Sequence, residues 1–496
     1  MSPPASGLAA GAAWMVGARM VERLVGLVST AFLARLLTPE DFGLVAMAMA
    51  VVAATELIGA FGFDWALVRQ PGLTRDHLDT AWTLRILVAL ASCGLLAALA
   101  VPAAGYYGDP RIQSVVLFLA GALLISAVEN PGAAMFRRDF RFDKEFILRT
   151  TAKVFGSAVA VTVAFFVRSY WALLVGMATG RLVSTGLSYA LHPHRPRPTL
   201  AASRDLFSFS MWIFANNIVS FARTRVADFA IGRVVNARAV GLYATAFELA
   251  HLGHSEIAAP MNRAAFSGYA ARADDAPRLR EAYLTAVGGI WLIALPLAAG
   301  AVLTAPQLVT LLLGQGWTDA IPLLRLLGLG AVISLAFENA SYVYWATGIP
   351  RLTLVLNVVG AAFFVPLLLL WLPQWQALGA AYAYIVSSLV VAVANVVLLR
   401  RQIGVSATQI LAVSWRTISG CAVMAVVVAV LSPAGVPNST ASAAAQLMGL
   451  VTAGATTYFA TVFGLWIIAR RPAGAEASVL TRVRPIVRRI GRARPT

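Results

Sequence analysis

The sequence is poor in charge, poor in cysteine, and without any polar stretch long enough to fold by itself. Only 12% of its 496 residues are charged, against roughly 25% in an average soluble domain. With 59% hydrophobic residues beside so little charge, a soluble globular protein is excluded. A nucleic-acid binder is excluded as well. The net charge of +17, mostly from Arg, lies between apolar runs and in the tail, not on one basic face. Cys93 and Cys421 sit inside apolar runs and make neither a disulfide framework nor a metal-ligand spacing, so no metal and no other cofactor is expected. Residues 1–6 hold no basic n-region, so the first apolar run is expected to stay as a helix. Short connections leave no room for a fused enzyme or a large extracytoplasmic domain.

What the chain does have is a succession of apolar runs of membrane-spanning length. A crossing of about 30 Å needs about 20 residues of helix. Such runs fall near 12–36, 42–66, 83–104, 112–131, 148–168, 170–191, 207–235, 239–260, 283–305, 319–345, 352–373, 377–399, 409–432 and 443–469. This predicts an all-α integral membrane protein with about fourteen transmembrane helices. Arg and Lys concentrate in alternate loops, at Arg69 and Arg75, Arg137 to Lys144, Arg195 to Arg204, Arg263 to Arg280, Arg400 and Arg401, and the tail. The positive-inside rule then places both termini in the cytoplasm of a cell-membrane protein.

An internal repeat is visible at a shift of 198 residues. FLARLLTPEDFGLVAMA, from Phe32, lies without a gap over AIGRVVNARAVGLYATA, from Ala230, so that Arg35 meets Arg233 and Gly43-Leu44 meets Gly241-Leu242. The repeat predicts two six-helix lobes in the same orientation, residues 1–191 and 207–400. A cytoplasmic linker joins them at 192–206, two extra helices follow at 401–469, and a basic tail occupies 470–496. Parallel repeats are a known transporter plan. The linker carries His192, His194 and three prolines. Its histidines lack further ligands and are expected to lie in solvent.

Ionisable residues inside the spans are costly and mark function or internal pairing. Arg19, Glu22 and Arg23 stand at i, i+3, i+4 on one face of the first span. Two outcomes are open for them: a salt bridge that only locks helices together, or a cationic site that attracts an anionic solute. The seventh span, counterpart of the first, carries Asn217, Arg223, Arg225 and Asp228, with Asn217 at the position of Arg19. Arg225 and Asp228 are spaced to pair. Arg85 and Lys153 complete the expected cationic set, or else snorkel to the cytoplasmic surface. Glu56, Glu248 and Glu338 are candidates to carry a coupling proton or to pair with a cavity Arg, while His251 and His254 are expected to serve packing. Gly176 and Gly180 form a GxxxG spacing that suits close helix contact.

Four segments carry a family resemblance: ARLLTPEDFGLVAMA at 34–48, GFDWALVRQPGLTRDHLDTAW at 62–82, ENPGAAMFRRDFRFDKEF at 129–146 and LLGQGWTDAIPLLRLL at 312–327. Together they resemble the polysaccharide transporter, or oligosaccharide flippase (Wzx-like), branch of the multidrug/oligosaccharidyl-lipid/polysaccharide exporter superfamily, and within it the colanic-acid-exporter-like members. The resemblance implies two six-helix lobes, a cationic cavity, and a polyprenyl-diphosphate-linked oligosaccharide carried from inner to outer leaflet by alternating access. It implies no catalytic residue, and it makes membrane lipids, a polysaccharide polymerase and glycosyltransferases the further partners. Arg suits a diphosphate because it offers bidentate donors. The competing functions are a cation-coupled multidrug antiporter, disfavoured by the excess of Arg at depth; a membrane enzyme, for which no catalytic cluster is visible; and a non-transporting scaffold of an assembly complex.

Overall fold

A computed structural model describes residues 5–59, 74–139, 141–203, 221, 225–433 and 435–470. Among these residues the fold is all-helical. The helices are α1 (Ala5–Leu36), α2 (Pro39–Gly59), α3 (Arg75–Tyr107), α4 (Arg111–Ala127), α5 (Phe142–Val167), α6 (Trp171–Leu191), α7 (Ala237–Ala250), α8 (Ala259–Ala270), α9 (Ala276–Leu303), α10 (Ala305–Leu312), α11 (Ala320–Ala346), α12 (Arg351–Ile403), α13 (Ala407–Leu431) and α14 (Thr440–Ile468). Seven of the described helices are long and apolar enough to cross a membrane. A spanning helix satisfies its own backbone, which lipid cannot do; hence the long uninterrupted elements and the turns of a few residues between them.

Residue contacts divide the chain into two units, Met1–Ala244 and Thr245–Thr496. In the first, α5 and α6 form a tightly packed hairpin. A Cβ on Gly156 would lie 2.8 Å from the Gly176 carbonyl oxygen and 3.1 Å from the Gly180 Cα. Small residues let the two backbones approach in this way, and in lipid such packing replaces the missing hydrophobic drive. The spacing of Gly176 and Gly180 therefore packs α6 on α5.

Residues 192–200, between α6 and the turn at 201–202, have no regular secondary structure and start from an extended His192. This strap is held to α3. His194 Nε2 lies 2.9 Å from Asp79 Oδ1, the Arg197 amide donates to the same oxygen, and the Thr199 and Ala202 amides donate to Thr83 Oγ1 and Thr80 Oγ1. Asn130, 1% exposed, donates to the His192 and His194 carbonyls. The solvated linker expected from the sequence is thus a docked one. Asp79 is 4% exposed, and a buried carboxylate needs charged or hydrogen-bonding partners, which the strap supplies.

The second unit has its core where α9 and α11 cross. There Tyr269, Tyr283, Trp291 and Tyr344 are buried together, and the Trp291 indole donates to the Ala336 carbonyl at 3.1 Å. The two helices beyond the repeat belong to this unit. Their packing runs through Tyr458, whose hydroxyl donates to the Leu292 carbonyl of α9 at 2.7 Å. The sequence separates the eleventh and twelfth spans at residues 374–376. In the structure the chain leaves helical geometry at Gln376, with φ 51° and ψ −138°, so α12 comprises two helices that meet where the sequence separates the spans. The expected eighth span ends at residue 260, but the helix continues through a π turn, His254–Ala258, into α8.

Candidate functional site

The charged residues inside the spans of the first unit fall into three groups. The first is on α1. Helical spacing carries Arg19, Glu22 and Arg23 on one face; Arg19 is exposed and the other two are half-buried. Helix α1 packs along α5, and α5 adds Lys153, whose stem reaches Gly26 (a Cβ there would stand 3.6 Å from Lys153 Cε). Glu22 feels Glu145, Lys153 and Arg19. Glu145 is itself 3.0 Å from Arg149, one turn further along α5. Two cations, Lys153 and Arg19, thus lie near Glu22 together with a second carboxylate, Glu145, and Arg23 shares the same face of α1.

The second group is balanced. Arg225 lies 3.4 Å from Asp228, which is 4% exposed. Glu56 of α2 feels both Arg181 of α6 and Arg225. The pairing of Arg225 with Asp228 follows the expected spacing, and it ties this guanidinium to a carboxylate. Glu56 completes a four-member cluster of two cations and two anions.

The third group holds Arg85. Its Nη2 donates to the Ser126 carbonyl at 2.8 Å and lies 3.9 Å from Glu129. Glu129 also accepts from Ser184 of α6. Arg85 therefore joins α3 to the end of α4. Asn217 and Arg223 lie outside the described residues. Glu248 and Glu338 belong to the second unit, where Glu248 is exposed and Glu338 half-buried.

The structure thus unites Arg19, Glu22, Arg23 and Lys153, places Arg225 and Asp228 together with Glu56, and keeps Arg85 apart. Sequence reasoning passed over Arg181 and Glu145 as site members. A signal for Arg181 was present: it follows directly on Gly180, in the stretch of α6 packed closest to α5. The α1 group could hold an anion such as a phosphate by charge-assisted hydrogen bonds. Among the described residues, no group of three or more His, Cys, Asp or Glu side chains is arranged to hold a metal ion.

Comparisons with known proteins agree with this architecture. A family model described as "Polysaccharide biosynthesis protein" matches residues 32–322. The lipopolysaccharide biosynthesis protein WzxC of Escherichia coli (strain K12) is 20% identical over 388 residues, covering 77% of this chain and 78% of WzxC. The teichuronic acid biosynthesis protein TuaB of Bacillus subtilis (strain 168) is 22% identical over 342 residues, covering 68% of this chain and 71% of TuaB. Among solved structures, the lipid II flippase MurJ in an inward closed conformation superposes with a TM-score of 0.71 at 11% identity, over 92% of this chain and 99% of MurJ. At that identity the likeness is one of fold.

Proposed function

Because this chain belongs to the polysaccharide biosynthesis protein family, a family of multi-pass membrane transporters, we propose that it is a flippase. Its cargo in this proposal is a polyprenyl-diphosphate-linked oligosaccharide, carried from the inner to the outer leaflet of the cell membrane with both termini cytoplasmic. The observation that carries the proposal is the pair of cations Arg19 and Lys153 near Glu22, with Arg23 on the same face of α1, on helices of membrane-spanning length. A diphosphate does not enter hydrocarbon unpaired. Guanidinium and ammonium groups held at that depth lower the cost by direct charge pairing, while the saccharide stays in water and the prenyl tail in lipid. WzxC and TuaB, named for lipopolysaccharide and teichuronic acid biosynthesis, support the cargo class. The 198-residue repeat supports alternating access, in which two similar lobes, 1–191 and 207–400, exchange roles around the cargo.

The test is reconstitution of the purified full chain in vesicles with a fluorescent polyprenyl-diphosphate saccharide, scored by quenching from outside. Wild type is expected to move the lipid, and Arg19→Ala with Arg23→Ala to slow it by tenfold or more. Movement unchanged in the double variant overturns the assignment of the site. No movement by wild type, with assembly partners still bound, favours the scaffold.

A further inference from the structure

The second unit holds a titratable pair that the proposed cargo site does not use. His254 Nδ1 and Glu338 Oε2 stand 2.6 Å apart, each about one-third exposed. We infer that His254 and Glu338 form a proton-binding site that couples proton movement to the conformational cycle. The transport half of this inference rests on the flippase proposal; the proton-binding half does not.

Three observations bear on it. The first is local backbone. His254 opens the π turn His254–Ala258, where the Ala259 amide bonds to the His254 carbonyl five residues back. Pro260 follows and lacks an amide hydrogen. π turns are uncommon, cost helix regularity, and concentrate at functional positions. This one widens the helix at the residue that meets Glu338.

The second is the polar framework on either side. Toward α7, the His251 Nδ1 lies 2.9 Å from the Phe247 carbonyl, and its Nε2 lies 2.8 Å from the Tyr384 hydroxyl of α12. A carbonyl only accepts, so Nδ1 carries the hydrogen, and in the neutral ring Nε2 accepts from Tyr384. Ser334 of α11 is 3.4 Å from that hydroxyl and donates to Ser388 at 3.1 Å. Toward α8, the Tyr269 hydroxyl donates to Asn339, and Asn339 donates to Asn262 at 2.6 Å. With His251 neutral, these networks join α7, α8, α11 and α12. Between them lies the contact of His254 with Glu338, whose strength depends on a proton.

The third is the surrounding charge. On its own helix, the pair has His251 and Glu256 nearby. Helix α11 adds Tyr342, which feels both Glu338 and Arg263 of α8, and α12 contributes Tyr384. Helix α9 faces Gly253 with Ala298; its charged residues, Arg278, Arg280 and Glu281, all lie in its first two turns. His254 and Glu338 are thus a compact site, with the cation Arg263 nearby. With His254 protonated, an imidazolium faces a carboxylate and the two attract. A second proton, taken from water, neutralises Glu338 and ends the attraction. Its release to water on the other side restores it. Only N–H and O–H bonds change. Because His254 belongs to the π turn, loss of the contact frees the turn between α7 and α8.

Two measurements test this on the full chain. Hydrogen exchange of residues 251–262, corrected for the chemical rate, is expected to change at least tenfold between pH 5 and 8 in wild type. It is expected to be flat in Glu338→Gln and in His254→Gln, with exchange elsewhere unaltered. Flat exchange in wild type, or an unaltered profile in both variants, overturns the site. In vesicles, an imposed pH gradient is expected to change the wild-type rate of fluorescent-lipid movement at least tenfold. Both variants should keep gradient-free movement and lose the response. A gradient response equal to wild type in both variants overturns the coupling. A pH-dependent exchange profile without any lipid movement in wild type overturns the flippase proposal and leaves the proton site standing.

Discussion

Gly43 and Gly241, the two residues that the 198-residue shift superimposes, touch each other's helix in the structure. A Cβ on Gly43 would overlap the carbonyl oxygen of Ala237, and a Cβ on Gly241 would overlap that of Pro39. Pro39 and Ala237 are themselves repeat partners. The contact is therefore reciprocal, as a two-fold axis demands. The caps match too: Thr38 accepts from the Asp41 amide, and Asn236, its counterpart, accepts from the Ala239 amide.

Alanine at either glycine is expected to force α2 and α7 apart. The cost of such overpacking is about 1–3 kcal/mol, and the reciprocity makes the two costs alike. Gly43→Ala and Gly241→Ala should each lower the thermal midpoint in detergent by several degrees. Together they should cost less than the sum, because the first already opens the crossing. Additive losses would count against a shared contact.

The docked strap is expected to loosen in acid. Burial, with the neighbouring His194 and Lys144, holds His192 below its ordinary value, which is about 6.5 in an unfolded chain. The undocked strap therefore binds a proton more readily than the docked one, and docking weakens as the pH falls through about 6.5. Hydrogen exchange of residues 192–200, corrected for the chemical rate, should quicken several-fold between pH 7.5 and 5.5. His192→Gln should remove that difference. Gly132→Ala should raise exchange at all pH values, since a Cβ at Gly132 would overlap the His192 ring.

Arg225 and Asp228 give an asymmetric prediction. Arg225→Ala leaves the buried Asp228 carboxylate without its ion-pair partner; because Arg225 is 40% exposed, the cost should fall below the roughly 3–5 kcal/mol of a fully buried pair. Adding Asp228→Asn removes the stranded charge and should restore most of the loss. Denaturation of the single and double variants checks this; a double variant no more stable than Arg225→Ala would show that the pair contributes little.

Gln376 occupies a backbone region that side chains rarely adopt, with φ 51° and ψ −138°. Such strain costs about 1–3 kcal/mol. Gln376→Gly should relieve it and raise the thermal midpoint. A lowered midpoint would mean that contacts of the Gln376 side chain outweigh the strain.

What the sequence revealed and what it concealed separate by distance along the chain. Apolar length and the Arg pattern yield the helices, and the ungapped match from Phe32 and Ala230 yields the Gly43–Gly241 relation. The Arg225–Asp228 pair is legible because both residues ride one helix three positions apart. His194 was misplaced because its partner, Asp79, lies 115 residues away and nothing in the linker itself announces burial. Glu338 and His254 were each visible as ionisable residues in apolar spans, but their meeting depends on how α8 and α11 pack. Arg181 belongs to the same class: its connection to Glu56 exists only once α6 and α2 are neighbours.

The glycine contacts of α5 and α6 have a mechanical consequence. Lys153 stands one turn before Gly156, and Arg181 directly after Gly180, on two backbones pressed together at those glycines. The hairpin is a common mount: Lys153, near Glu22, and Arg181, near Glu56, ride on two backbones that small residues hold in direct contact.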